Sequence, residues 1–223
     1  QNKKLREAIA YAIDNQTFVD VVFRGSAVAG DSPLPKASPA YNRNVKKYNQ
    51  DIEKAKKLLA EAGYSNGLDI ELWCMDDGPR ADMCVIIQDQ LKKIGINVEI
   101  KIFEFGAYVS KTALPNKELY FLSWNSSGDG DVALYPLFHS SQHGAPGNRS
   151  FYSNKKVDEL LDKARVSVNE EERTTLYKEV QNILQEDLAI YPLAYPKINL
   201  AKNKNLFKKN GDIDLTNLDF NQK

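Results

Sequence analysis

The sequence predicts an α/β fold built on a parallel or mixed sheet, and three observations carry that expectation. Leu68, Ile70, Leu72 and Cys74 alternate with Asp69, Glu71 and Trp73, and Ile96, Val98, Ile100 and Ile102 alternate in the same way, the two-residue period of a strand. Between them, Pro79 to Gly95 reads as a helix, which suits a crossover between parallel strands. Leu119 to Trp124 is a continuous apolar run that reads as a buried strand. Strands separated by helical crossovers predict a sheet covered on both faces.

The elements follow in order. Leu5, Ala8, Ile9, Ala12 and Ile13 share one helix face, Asp14 interrupts them and caps a second stripe of Phe18, Val19, Val22 and Phe23, and Gly25 ends it. Residues 26–50, with Pro33, Pro35 and Pro39 among Gly and Ser, predict a long irregular surface crossing. Asp51 caps a helix with Ile52, Ala55, Leu58, Leu59 and Ala62 on its apolar face, closed by Gly63. After the first strand, Val85, Ile86, Leu91 and Ile94 mark the crossover helix. A short helical stretch is expected near Gly106 to Ala113. Past residue 140, a Gly/Ser/Asn-rich loop precedes two amphipathic helices. One runs from about Asn154 to Val166; the other starts behind Asn169, with Glu172 three residues on. From Tyr191 the apolar pieces are too sparse for a core of their own, so residues 191–223 read as a tail belonging to something larger.

Composition narrows the function. The 223 residues balance 30 Lys+Arg against 30 Asp+Glu, so the chain lacks the basic excess of a nucleic-acid or anionic-membrane binder. Its longest apolar runs fall far short of the roughly 20 residues of a membrane span. The chain enters a helical pattern within a few residues of Gln1, which suggests a fragment or a processed chain.

Three groups of residues could carry chemistry, the two cysteines being weighed with the second. Ser153-Asn154-Lys155-Lys156 matches the S-x-x-K string of serine acyl-enzymes such as penicillin-binding proteins, but the S-D-N element is missing; the plain alternative is that Ser153 caps the next helix. His139 and His143, with Asp129 and Asp131 upstream, could make a metal site, although Gly144, Pro146 and Gly147 favour a loop with surface histidines. Cys74 and Cys84 either pair as a disulfide or stand as two core thiols; their placement on apolar faces favours free thiols. The third group is the segment Trp124-Asn125-Ser126-Ser127-Gly128-Asp129-Gly130-Asp131. A strand running into Trp and a polar loop leaves an aromatic face and hydrogen-bonding groups at a strand's carboxyl end, where open α/β sheets bind ligands. The competing reading makes Trp124 core and Asp131 a helix cap.

LREAIAYAID (Leu5 to Asp14), DIEKAKKLLAEAGY (Asp51 to Tyr64), IIQDQLKKIGINVEI (Ile86 to Ile100), FEFGAY (Phe103 to Tyr108), the Trp124 loop, GNRSFYSNKKVDELLDKA (Gly147 to Ala164) and ERTTLYKEVQNILQED (Glu172 to Asp187) together resemble the extracellular solute-binding proteins of peptide and nickel ABC importers, family 5. The resemblance implies the carboxyl-terminal lobe of a type II periplasmic-binding-protein fold, with residues 1–190 as the ligand-binding lobe and 191–223 crossing back towards an amino-terminal lobe. It implies capture of oligopeptides or dipeptides outside the membrane for delivery to permease subunits, with a nickel complex, haem or a glutathione-like solute as the alternative. It implies no catalysis, no cofactor, a monomer, and an extracytoplasmic, lipid-anchored location. Trp124 matches a tryptophan at the mouth of the family's cleft. The aspartate that holds a peptide's amino terminus three residues later is Ser127 here, a neutral hydroxyl that cannot replace a charge-assisted bond. Asp129 and Asp131 resemble a D-P-D turn with Gly130 in place of Pro, and Asp129 is the carboxylate that could take over the missing charge. The family's Arg and Tyr contacts fall where this sequence shortens to Met75-Asp76-Asp77-Gly78. Phe105 matches a pocket-lining aromatic. The expected site is therefore Trp124, Asn125, Ser126, Ser127 and Asp129, with Gly128 and Gly130 letting the backbone approach a ligand and Phe105 and Tyr135 as outer walls.

Overall fold

Polar side chains set the helix starts. In the computed structural model, which describes residues 2–125 and 128–198, every α-helix begins behind a side chain that accepts from its first free N–H groups. The order is α1 (Lys3–Ala12), α2 (Asn15–Thr17) running into a π-helical turn (Phe18–Val22), β1 (Ala27–Ala29), α3 (Ile52–Glu61), β2 (Leu68–Met75) and α4 (Gly78–Lys92). There follow β3 (Ile96–Phe103), α5 (Phe105–Thr112), β4 (Leu119–Tyr120), α6 (Gly130–Phe138), a 3-10 turn (Ser140–Gln142), α7 (Lys155–Val166), α8 (Glu170–Asp187) and β5 (Ala194–Pro196). The caps are Asn2, Asp14, Asp51, Asp77, Glu104, Asp129, Asn154 and Asn169. Asn154, and not Ser153, caps α7: its Oδ1 accepts from the N–H groups of Lys156 and Val157.

The main sheet has the order β3-β2-β4 with both pairings parallel, Leu72 lying opposite Ile100 on one side and Leu119 on the other. The chain steps outward from β2 to β3 and then back across β2 to β4. Crossovers in opposite directions, each taking the right-handed form that parallel strands favour, place α4 and α5 on opposite faces. Helix α4 covers the face of Ile70, Leu72 and Cys74 with Met83, Cys84, Ile87 and Leu91, all buried; Val85 points to solvent, contrary to the apolar face read from the sequence. Among the described residues the second face is covered at its carboxyl end, where Lys111 of α5 lies over the rings of Trp73 and Phe103. Asp69, Glu71, Asn97 and Glu99 line an open groove of about 740 Å³ on the rest of it, so among the described residues the expectation of two covered faces holds for one. An eight-residue helix is too short to cover eight-residue strands, since a helix rises 1.5 Å per residue and a strand about 3.3 Å.

Two cores result. One packs α1, α3, α4 and the π turn against the sheet; the other packs α6, α7 and α8 around Leu134, Val157, Leu161, Val180 and Leu184. Leu161 is fully buried, and truncating such a side chain to Ala costs about 2–5 kcal/mol. Cys74 and Cys84 are free and buried in the first core. A hydrogen bond with Cys74, together with burial, pushes the Cys84 thiol far up.

Of the expected irregular stretch 26–50, Ala27–Ala29 form the strand β1, and the rest is irregular but is not a surface crossing. Ser32, Leu34, Ser38, Ala40, Asn42, Val45 and Tyr48 are all buried. A buried loop needs partners for its polar groups, and Gln181 of α8, fully buried, supplies several. Its Oε1 accepts from Ser32 Oγ (2.9 Å) and Asn42 N (3.3 Å), and its Nε2 donates to the Ala40 carbonyl (2.7 Å). Further on, β5 pairs antiparallel with β1, Ala27 opposite Pro196, so residues 191–198 return along the start of this loop.

Candidate functional site

Parallel strands end on the same side, and here β2, β3 and β4 end together in Asp76-Asp77, Glu104-Phe105 and Phe121 to Asn125. Four large apolar side chains stay exposed along that edge: Ile102 (54 %), Phe105 (64 %), Leu122 (38 %) and Trp124 (37 %). Large apolar groups gathered at one edge mark a surface that takes a partner or ligand.

The run Leu119 to Trp124 is not a buried strand. β4 ends at Tyr120, where the Phe121 N–H makes a last bond to the Trp73 carbonyl of β2 (3.2 Å) and the Phe121 carbonyl turns to a side chain. Tyr108, buried on α5, donates its hydroxyl to the Phe121 carbonyl and accepts from the Phe121 N–H (3.1 Å). Beyond that clamp residues 122–125 are released to the edge, and the apolar character read as core faces solvent.

Trp124 is held there by a consequence of Pro136. An interior helical N–H donates to the carbonyl four residues back, but Pro136 in α6 has no N–H, which leaves the Val132 carbonyl free. The Trp124 Nε1–H donates to that carbonyl at 3.1 Å. The indole is thereby anchored at its polar tip with part of its surface still open.

The loop aspartates face the helix bundle. Asp129 caps α6 by accepting from Asp131 N (2.7 Å), and its other oxygen lies 3.4 Å from Arg173 Nη2 of α8. Asp131 takes both the Nε and Nη2 of Arg165 on α7, at 3.0 and 2.9 Å, a pairing that raises the Arg165 pKa. The Arg165 guanidinium also lies over the Tyr135 ring, 3.3 Å from its centre, and His139 stacks on Tyr135 at 4.3 Å. Tyr135 is therefore covered by α7 and His139 instead of standing open as a wall. Gly130 does not open the backbone to a ligand either: it is buried, and a Cβ there would meet Tyr177 Cδ2 at 2.5 Å. Gly128 (φ 86°) has open space, and its carbonyl accepts from Ser38 Oγ (2.8 Å). Asn125 is exposed beside Trp124. Ser126 and Ser127 lie outside the described residues.

Phe105 begins α5 immediately after its cap. Glu104 accepts from the Gly106 and Ala107 N–H groups, which holds its carboxyl below the usual range. Arg80, in the first turn of α4, was not legible as a site residue because its partner is distant in the chain. Its Nη1 donates to Asp77 Oδ2 (2.7 Å) and its Nη2 to Ser123 Oγ (3.1 Å), one residue from Trp124.

The other candidates disperse. His139 is buried, not a surface histidine, and its Nδ1 meets Ser141; His143 is exposed, with Nε2 on the Tyr152 carbonyl. Among the described residues no group of three His, Cys, Asp or Glu side chains is placed to hold a metal ion. Ser153 is exposed, and Lys155 and Lys156 pair with Glu159 and Glu179. No helix of the described residues is long and apolar enough to cross a membrane.

Comparison with known proteins places the chain among transport proteins. Residues 1–145 match the model described as bacterial extracellular solute-binding proteins, family 5 Middle. The chain is 35 % identical over 214 residues to the glutathione-binding protein GsiB of Escherichia coli K12, covering 92 % of this chain and 41 % of that protein. Among solved structures it resembles the periplasmic binding protein DppA of Helicobacter pylori in complex with peptide STSA (37 % identity, TM-score 0.81, 87 % of this chain and 39 % of that one). It also resembles NikZ of Campylobacter jejuni in complex with Ni(L-His) (30 % identity, TM-score 0.79, 87 % and 42 %). The chain thus spans about two fifths of the length of these relatives.

Proposed function

Because the chain belongs to the bacterial extracellular solute-binding proteins of family 5, a type II periplasmic-binding-protein fold, we propose that it forms the carboxyl-terminal ligand-binding lobe of an ABC importer's substrate-binding component. In this reading residues 1–190 form one wall of a cleft and 191–223 run back towards a second lobe. The protein works outside the cytoplasmic membrane as a monomer and hands its solute to permease subunits. The observation that carries the reading is the exposed apolar edge of Ile102, Phe105, Leu122 and Trp124 at the carboxyl end of a parallel sheet.

The solute class proposed is short peptides, glutathione among them. A rigid aromatic face beside Asn125, Ser126 and Ser127 suits a ligand held through its backbone amides. Asp129 is engaged by the α6 cap and Arg173, so it does not replace the charge that Ser127 lacks. The likeness to NikZ favours a nickel–histidine complex as the second reading. Calorimetric titration of the full-length protein with di- to tetrapeptides, glutathione and Ni(L-His)₂ tests both. Micromolar or tighter binding of a peptide or glutathione supports the first, and binding of the nickel complex alone overturns it in favour of the second.

A further inference from the structure

We propose that Lys117 takes up carbon dioxide as a carbamate, and that the new carboxylate is the counter-charge of Arg149. Lys117 lines the groove on the second face of the sheet, so the inference does not depend on which solute lies at the Trp124 edge.

Arg149, between the 3-10 turn and α7, is only 6 % exposed. A charge so deeply buried ordinarily faces an opposite one. Its Nη1 donates to the Val109 carbonyl (2.6 Å) and to Thr112 Oγ1 (2.9 Å), at the carboxyl end of α5, where the last carbonyls of a helix carry partial negative charge. That is the whole of its compensation among the described residues. Its Nε is buried without a partner, and it forms no ion pair there with any carboxylate.

The nearby cation is Lys117. Burial, and then the charge of Arg149, push its ammonium down to about 8. Nζ lies over the rings of Tyr120 (5.0 Å) and Phe151 (5.1 Å) and donates to the Leu114 carbonyl. None of these is an anion, since burial pushes the Tyr120 hydroxyl up to about 12. The carboxylates that share the groove are engaged elsewhere: Glu118 on the Glu71 N–H, Glu71 on Trp73 Nε1, Asp69 on Asn97 and Glu99 on Lys101. His143, beside the Phe151 ring, meets the Tyr152 carbonyl.

The groove, about 740 Å³, admits a small neutral molecule to Lys117. At pH 8 about half of such an amine is unprotonated, against less than about one per cent of an ordinary lysine. Its lone pair attacks the carbon of carbon dioxide. The N–C bond forms, one C=O π pair moves onto oxygen, and the nitrogen releases a proton to solvent, so that R–NH2 and CO2 become R–NH–CO2⁻ and H⁺ with no oxidation. The product puts an anion where a disfavoured cation stood. Arg149, which opposes the ammonium, holds the carbamate through a charge-assisted bond.

The test is to equilibrate the full-length protein with dissolved carbon dioxide at pH 8, trap carbamates by ethylation with triethyloxonium, and map them by peptide mass spectrometry. Lys117 is expected to be trapped at least tenfold more than any other lysine. That preference should vanish in urea-unfolded protein and fall away as pH drops below 8 at fixed dissolved carbon dioxide. Absence of trapped Lys117, or equal trapping in folded and unfolded protein, overturns the proposal, and neither comparison needs a variant to fold. Carbon dioxide is also expected to raise the melting temperature of wild type by about 2 °C or more and to leave Lys117→Arg unmoved. A wild-type melting temperature indifferent to carbon dioxide, or an equal rise in Lys117→Arg, overturns the pairing with Arg149.

Discussion

An indole N–H at the surface can always bond to water, so the bond from Trp124 to the Val132 carbonyl adds little stability, and its effect is to fix where the ring lies. That placement needs Trp124 and Pro136 together. The sequence shows both residues, yet only the fold shows that one frees a carbonyl for the other. Asp129 illustrates the opposite case. Its type suggested a ligand contact, but a carboxylate that caps a helix and faces Arg173 is already engaged. Glu104 gives a pH prediction at the same edge. Its carboxyl is held below the ordinary value of 4.5 by the N–H groups of Gly106 and Ala107. The stabilisation is present above that value and is lost as pH falls through the lowered folded-state pKa. An NMR titration should give Glu104 a pKa below 4.5, with the Gly106 and Ala107 amide shifts following it; a midpoint at or above 4.5 would contradict the cap.

Helices were legible at the element scale because capping is local: Asp14, Asp51 and Asn169 announce their helices from within a few residues. The run Leu119 to Trp124 was not legible past Tyr120, because apolarity alone cannot separate a covered strand from an exposed edge, and the group that takes the Phe121 carbonyl, the Tyr108 hydroxyl, comes from a different element. The burial of the stretch 26–50 was missed for a related reason: its composition is that of a surface loop, and what compensates its burial is Gln181, far along the chain. At the junction of α6 and α8 the packing makes a testable demand. A Cβ on Gly130 would lie 2.5 Å from the Tyr177 ring, and forcing that ring aside is an overpacking cost of about 1–3 kcal/mol. Gly130→Ala should lower the urea midpoint accordingly, with the slope unchanged; an unchanged midpoint would mean that Tyr177 moves freely.

The whole molecule has two cores of its own and an apolar edge with no cover among the described residues. The fold class was legible from strand period and crossover pattern, whereas the family came from the order of long matching segments. The 223-residue chain alone should fold, with a cooperative melt, and bind peptide probes weakly, since one wall provides only part of a hinged cleft's contacts. A submicromolar affinity for the chain alone would sink the two-lobed account. The central claim is that the solute lies on the Trp124 edge, and calorimetry of Trp124→Ala in the full-length protein, with whichever peptide or glutathione probe wild type binds, tests it most directly. The account predicts a loss of more than about 1 kcal/mol, the scale of an aromatic anchor, with an unchanged ligand-free melting temperature. An affinity equal to that of wild type would place the ligand elsewhere.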